Sequence, residues 1–177
     1  DKGMWSYLGL NGCWEASEWL DSRSFHPSCM PNERLNDGFV IRGQTKFCLN
    51  TSLRARYLPE SYERSKEKLV LHRGPHSSQF SPSVLEQLVT QEWRIHMASN
   101  RIGYRLEGRT LETTGSIPSL PCLVGAIQVP PSGLPIVTLN DGPTVGGYPV
   151  IAVLDSAQIG VFCQYRPGET LKFSWYE

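Results

Sequence analysis

Residues 125–149 read G-A-I-Q-V-P-P-S-G-L-P-I-V-T-L-N-D-G-P-T-V-G-G-Y-P, and the fold is decided by this stretch. Residues 126–129 are a short apolar run ending on Pro130-Pro131-Ser132-Gly133. Proline cannot donate to a β ladder, so pairing stops there and the chain reverses. Residues 135–139 make a second strand, which runs into the polar loop Asn140-Asp141-Gly142-Pro143-Thr144-Val145-Gly146-Gly147-Tyr148. A carboxylate, a hydroxyl, a phenol and three glycines share those nine positions. Glycine at this density lets a backbone approach a ligand and present its N–H groups. The same composition also fits the end of an ordinary Gly-rich hairpin, which is the commoner case.

The whole chain repeats that turn-rich character. Thirteen prolines and sixteen glycines in 177 residues point to a mainly β fold with one or two short helices, not a helix bundle. The length suffices for one well-filled core, or for one domain and part of a second. Seventeen basic residues offset seventeen acidic ones, so the whole chain has no electrostatic reason to bind nucleic acid or an anionic membrane. No apolar run reaches the length of a membrane span. Cys13, Cys29, Cys48, Cys122 and Cys163 are odd in number and irregularly spaced, which argues against a disulfide framework and against a metal site. Reduced core thiols and a cytoplasmic location follow as expectations.

Away from the central stretch, residues 4–10 suit a strand and Asn11-Gly12 a turn, while residues 13–20 suit a helical turn or a loop pinned by Trp14 and Trp19. Residues 21–38 form a long polar loop carrying Arg23 and His26. Residues 39–41 and 46–49 look like two strand arms around Arg42-Gly43-Gln44. The mixed charge of 54–68 marks a solvated linker, leaving residues 1–53 as the remnant of a first β unit or a middle part, and 69–177 as a second unit. In the second, 68–72 is a strand, Gly74-Pro75-His76 a turn, and Ser81-Pro82 opens a helix with Val84, Leu85, Leu88 and Val89 on one face. Residues 93–97 alternate as a half-buried strand with His96 on the wetter face. Residues 109–123 read as loop, and 150–154, 159–165 and 171–175 as strands.

Five motifs follow one another along the chain: Gly74-Pro75, Ser99-Asn100-Arg101-Ile102-Gly103-Tyr104-Arg105-Leu106-Glu107-Gly108, Gly125-Ala126-Ile127-Gln128-Val129-Pro130, Gly146-Gly147-Tyr148-Pro149 and Gln164-Tyr165-Arg166-Pro167-Gly168. In this order they resemble the KipA-like family, also called allophanate hydrolase subunit 2 or the biotin-dependent carboxyltransferase family, to which the C subunit of 5-oxoprolinase belongs. The resemblance implies a cyclophilin-like β-barrel and a KipI-like partner (allophanate hydrolase subunit 1), with the active site near their contact. A lactam-utilisation subunit or a biotin carboxylase would complete the assembly, and ATP or carboxybiotin would enter through the partners instead of binding this chain. Two departures stand out. The N-terminal T-x-x-Q-D-x-G-R-x-G type motif is not found, and Gly142-Pro143 stands where 5-oxoprolinase-type members carry Arg-Gln.

The resemblance makes Asp141, Arg101 and Arg105 the candidate catalytic residues, the arginines as carboxylate or phosphate clamps and Asp141 as the base or its orienter. Asn100, Gln128, Thr144, Gly146, Gly147 and Tyr148 are the candidate substrate-binding residues. Without it, surface arginines near Glu107 read as ordinary ion-pair partners. His72 and His76 flank Gly74-Pro75 but read as unspecialised turn histidines. Three functions are compatible: ATP-dependent opening of 5-oxoproline to glutamate, carboxyl transfer of the urea carboxylase type, and a non-catalytic KipA-like regulatory subunit. A peptidyl-prolyl isomerase rests on fold analogy alone.

Overall fold

The computed structural model describes residues 12–14, 40, 43–45, 68–113 and 115–176. By its contacts the chain divides into two compact units, Tyr7–Leu58 and Pro59–Glu177 with Asp1–Ser6. In the first unit, β1 (Gly12–Trp14) pairs antiparallel with β2 (Gly43–Thr45), Gly12 opposite Thr45 and Trp14 opposite Gly43. Gly12, Gly43 and Gln44, turn residues by the local sequence, lie in these strands. A lone glycine is a weak turn signal, and cross-strand pairing overrides it. The expectations for 4–11, 15–39, 46–53 and 54–67 lie outside the described residues.

The second unit runs β3 (Leu69–Arg73), α1 (Pro82–Thr90), β4 (Trp93–Ile95), β5 (Gly103–Glu107), β6 (Leu120–Pro121), β7 (Ala126–Gln128), β8 (Ile136–Thr138), β9 (Val145–Gly146), β10 (Val150–Leu154), α2 (Ile159–Phe162), β11 (Thr170–Leu171) and β12 (Phe173–Trp175). The large sheet has the order β11-β4-β5-β8-β7-β10-β3-β12. Its two outermost members are one segment, interrupted only at Lys172. Leu171 sits opposite Trp93 on β4, and Phe173 opposite Leu69 on β3, so this segment closes the sheet into a barrel. The mainly β, cyclophilin-like barrel with two short helices is therefore the fold.

Strand alternation fills the interior. On β5, Tyr104 and Leu106 are buried while Arg105 is exposed, and on β4 Trp93 and Ile95 are buried while Arg94 is exposed. Leu71, Ile127, Val137, Phe162 and Phe173 complete the core. The β7–β8 hairpin turns at Gly133, whose φ of +74° and close contact with Leu111 O, 2.6 Å from where a Cβ would stand, require glycine. Ser81 caps α1 by accepting from Val84 N at 3.4 Å, and the helix buries Val84 and Leu88 against the barrel. Trp93 Nε1 donates to Leu88 O at 2.9 Å, tying that helix to β4.

Two stretches fold otherwise than their local sequence suggests. The apolar run 159–165 has the look of a strand, but Ile159–Phe162 is α2. Asp155 Oδ1 accepts from Ala157 N at 2.9 Å and starts a 3-10 turn over Ser156–Gln158, which feeds the helix. Phe162 is buried and Ile159 and Cys163 half-buried, a helical spacing that a short apolar run does not distinguish from a strand. Within the expected loop 109–123, β6 pairs with β9, Leu120 opposite Gly146. Among the described residues no helix is long and apolar enough to cross a membrane.

Asp155 also meets His72 Nε2 through Oδ2 at 2.8 Å, and His72 lies against Tyr176 with ring centroids 4.8 Å apart. The hydrogen bond from His72, then that from Ala157 N, holds the Asp155 carboxyl below its ordinary value. A depressed folded pKa gives stability that is present above the unfolded carboxylate value, about 4, and lost as pH falls through the folded one. Asp155→Asn is therefore expected to show a shallower fall in Tm than the parent between pH about 5 and the lowered pKa, as measured by thermal melts across that window.

Candidate functional site

The candidate residues fall on three neighbouring features of the barrel's outer side. The first is a pair of turns. Asn100 Oδ1 accepts from Ile102 N at 2.9 Å, which bends residues 100–102, and Asp141 N donates to Arg101 O at 3.2 Å. Arg101 then meets Asp141 with both prongs, Nη2 to Oδ1 at 3.1 Å and Nε to Oδ2 at 3.0 Å. Their side chains are 52% and 41% exposed, so solvent screens the pair and its contribution to stability is small. Clamp and base are thus each other's partner. Gly142 fits between the turns: a Cβ there would stand 2.8 Å from Leu139 O and 3.0 Å from Ile102 O.

The second feature is a row across the sheet. His96 N donates to Arg105 O at 2.9 Å, Arg105 is opposite Ile136, and Ile136 is opposite Gln128. Residues in one row project to one side of a sheet, here the outside, and two strand spacings put Arg105 and Gln128 about 10 Å apart. Among the described residues no side chain bonds the Arg105 guanidinium. Its neighbours are otherwise occupied: Ser99 Oγ accepts from Arg105 N at 3.1 Å, and His96 Nε2 lies 3.5 Å from Glu107 Oε1.

The third feature is a cavity of about 50 Å³ where the β6–β9 pair covers the end of that row. Gln128, Gly146 and Tyr148 line it together with His76 and Cys122. Gln128 is only 7% exposed, and its Nε2 donates to Cys122 Sγ at 3.2 Å. A Cβ on Gly146 would stand 2.8 Å from that sulfur and 3.1 Å from Gln128 Nε2. The glycine therefore allows the chain to close over its own cavity lining. Thr144 and Gly147 contribute carbonyls to the cover, accepting from Cys122 N at 2.9 Å and Ile117 N at 2.8 Å.

The sequence alone gives His76 and Cys122 no role in a site. His76 comes to the cavity through long-range bonds, its N to Val150 O at 3.1 Å and its Nδ1 from Val150 N at 3.2 Å. No local motif announces a contact 74 residues away. Cys122 lies in the segment that reads as loop. Among the described residues no three His, Cys, Asp or Glu side chains gather into a metal-ligating group.

The features can bind an anion at Arg105 and polar groups at the cavity. Known proteins share much of this chain. The family model for the carboxyltransferase domain, subdomain A and B, matches residues 1–175. The C subunit of the Haemophilus influenzae 5-oxoprolinase is 44% identical over 84 residues, 46% of this chain and 27% of that protein. The urea amidolyase of Saccharomyces cerevisiae is 26% identical over 97% of this chain and 11% of its own length. The crystal structure of the Kluyveromyces lactis urea carboxylase superposes on 62% of this chain and 11% of that one, with a TM-score of 0.58 and 28% identity. The matches span 27% and 33% of the H. influenzae and Escherichia coli 5-oxoprolinase C subunits. With the family model matching nearly every residue and the barrel shared with a urea carboxylase, the chain belongs to the family of the carboxyltransferase domain, subdomain A and B.

Proposed function

We propose that this chain forms the substrate-holding part of a 5-oxoprolinase-type assembly that opens 5-oxoproline to glutamate at the expense of ATP. The observation that carries the reading is Arg105, whose guanidinium no side chain bonds among the described residues and which shares a row with the Gln128 cavity. 5-Oxoproline presents both a carboxylate for an arginine to hold and a ring amide. A guanidinium fork binds a carboxylate through two parallel bonds. Similarity to the C subunit of 5-oxoprolinase supports the same choice. In this reading the assembly is cytoplasmic and a KipI-like partner, with a lactam-utilisation subunit, brings ATP. Transfer of a phosphoryl group to the lactam oxygen makes the ring carbon electrophilic; water adds there, the C–N bond breaks as the nitrogen takes the proton, and the acyl phosphate so formed is hydrolysed by a second water to the carboxylate and phosphate. In this reading Asp141, oriented by Arg101, holds the water or its proton.

Leu123 on the cavity lining, Val124 next to it in the chain and Val145 next to Gly146 on β9 are 60%, 38% and 57% exposed. Apolar exposure at this place supports a partner that covers the site. A second reading, carboxyl transfer of the urea carboxylase type with a biotin carboxylase partner, is favoured by the urea amidolyase match over 97% of the chain. Reconstitution decides between them. The chain combined with KipI-like and lactam-utilisation subunits is expected to release ADP only when 5-oxoproline is added, with glutamate formed in equal amount. Urea-dependent turnover with a biotin carboxylase, and none with 5-oxoproline, would replace this reading by the second.

A further inference from the structure

The cavity beneath Gly146 is lined by polar side chains with open bonding positions. Gln128 is 7% exposed and gives its Nε2 to Cys122 Sγ, while among the described residues its Oε1 accepts no hydrogen bond. In this bond the amide turns its NH₂ end to the sulfur and its carbonyl end away from it. On the same lining, His76 Nδ1 accepts from Val150 N at 3.2 Å. An imidazole that accepts at Nδ1 carries its proton on Nε2, so His76 offers a donor. An acceptor on a nearly buried residue and a donor on the same small cavity are complementary to a group with one N–H and one C=O side by side.

We infer that this cavity reads the HN–C=O edge of a cyclic amide, with Gln128 Oε1 accepting the ring N–H, His76 Nε2 donating to the ring carbonyl, and Cys122 as the positioning residue for Gln128. The inference rests on the placement of the substrate at this face and adds to it the groups that recognise the ring. A volume of about 50 Å³ exceeds the roughly 30 Å³ share of one water and holds the edge of a ring, not the ring entire. The remainder of the molecule then lies outward, on the side of the row that carries Arg105. A lactam and a cyclic urea both present this edge, and the probes separate them.

Cys122 supplies the readout, since an occupant of the cavity shields its sulfur. The full chain is treated with iodoacetamide, and the alkylation rate of Cys122 is followed by peptide mass spectrometry with added 5-oxoproline, 2-imidazolidinone, or the lactone analogue of 5-oxoproline in which ring oxygen replaces N–H. The expected result is that 5-oxoproline slows Cys122 alkylation and that the lactone needs about ten-fold or more higher concentration for the same effect, because it leaves the Gln128 acceptor unpaired. Gln128→Met, which keeps the length and removes the acceptor, is expected to abolish the difference between lactam and lactone. His76→Phe, a change in a half-buried turn, weakens protection by lactam and lactone alike and provides a test should the first variant fail to fold. Equal protection of the parent chain by lactam and lactone, or none by any probe, overturns the inference. Protection by 2-imidazolidinone alone keeps the HN–C=O site and removes the 5-oxoproline reading. Turnover of 5-oxoproline by the reconstituted assembly without Cys122 protection removes the inference and keeps that reading.

Discussion

Replacing Gly74 with alanine is expected to destabilise the barrel by about 3 kcal/mol, at the upper end of overpacking effects. A Cβ at this position would collide with Val150 O and stand 2.8 Å from both Ala152 N and Ile151 C. All three atoms are backbone. They belong to β10, which is held on one side by β3 and on the other by β7, so the strand cannot retreat without losing pairing. Gly74 N itself donates to Ile151 O at 3.0 Å, which fixes the approach from the other partner. For a unit of this size the loss corresponds to a fall in Tm on the order of 10 °C. Gly160→Ala is the matching control: nothing lies within 4 Å of its Cβ, and alanine is the better helix former in α2. Thermal melts of the two variants check the claim, and a Gly74→Ala chain that melts with the parent would show that the close contact with β10 is not maintained in solution.

Arg105→Ala is expected to lower kcat/KM for 5-oxoproline in the reconstituted assembly by about 10- to 100-fold, the loss of a charge-assisted contact of roughly 1.5–3 kcal/mol. The side chain is exposed on β5 and no side chain bonds it among the described residues, so the variant should melt as the parent does. Arg105→Lys should recover only part of the activity, because an ammonium is a point charge without the planar fork. The decisive arm is 2-pyrrolidinone, the same ring without a carboxylate. Its turnover or binding should be indifferent to the substitution if Arg105 holds the carboxylate. Arg94→Ala, an equally exposed arginine on the adjacent β4, should leave both substrates unchanged.

What the sequence discloses about this barrel depends on how local the cause is. The β7–β8 hairpin is legible because Pro130, Pro131 and Gly133 act within four residues, and α1 because Ser81 and Pro82 mark its first turn. β10 is legible as a run of apolar residues. α2 is not, because Ile159, Val161 and Phe162 have strand-forming side chains and the helix is started by Asp155 several residues earlier. β6 is not, because its only pairing is with β9, where Gly146 lies 26 positions beyond Leu120, and it contains a proline. In the candidate site, Arg101 and Asp141 look independent along the chain and prove to be one ion pair. Gly146 and Gly147 have the composition of backbone that could face a ligand, yet they lie close to the chain's own Cys122 and Ile117. His76 looks like a plain turn residue since its partner, Val150, belongs to a distant strand. For β6 and for the candidate site the physics that decides is long-range packing, which spacing along the chain does not record.

The segment Thr170–Trp175 bears on how the chain folds as it emerges during synthesis. Before it arrives, β3 and β4 are each an unpaired border, open to wrong partners, and the contacts that cover them join residues roughly eighty to a hundred positions apart. A growing chain therefore carries two adhesive margins until this segment is made. The same six residues therefore act as clasp for the barrel and as cover for both margins.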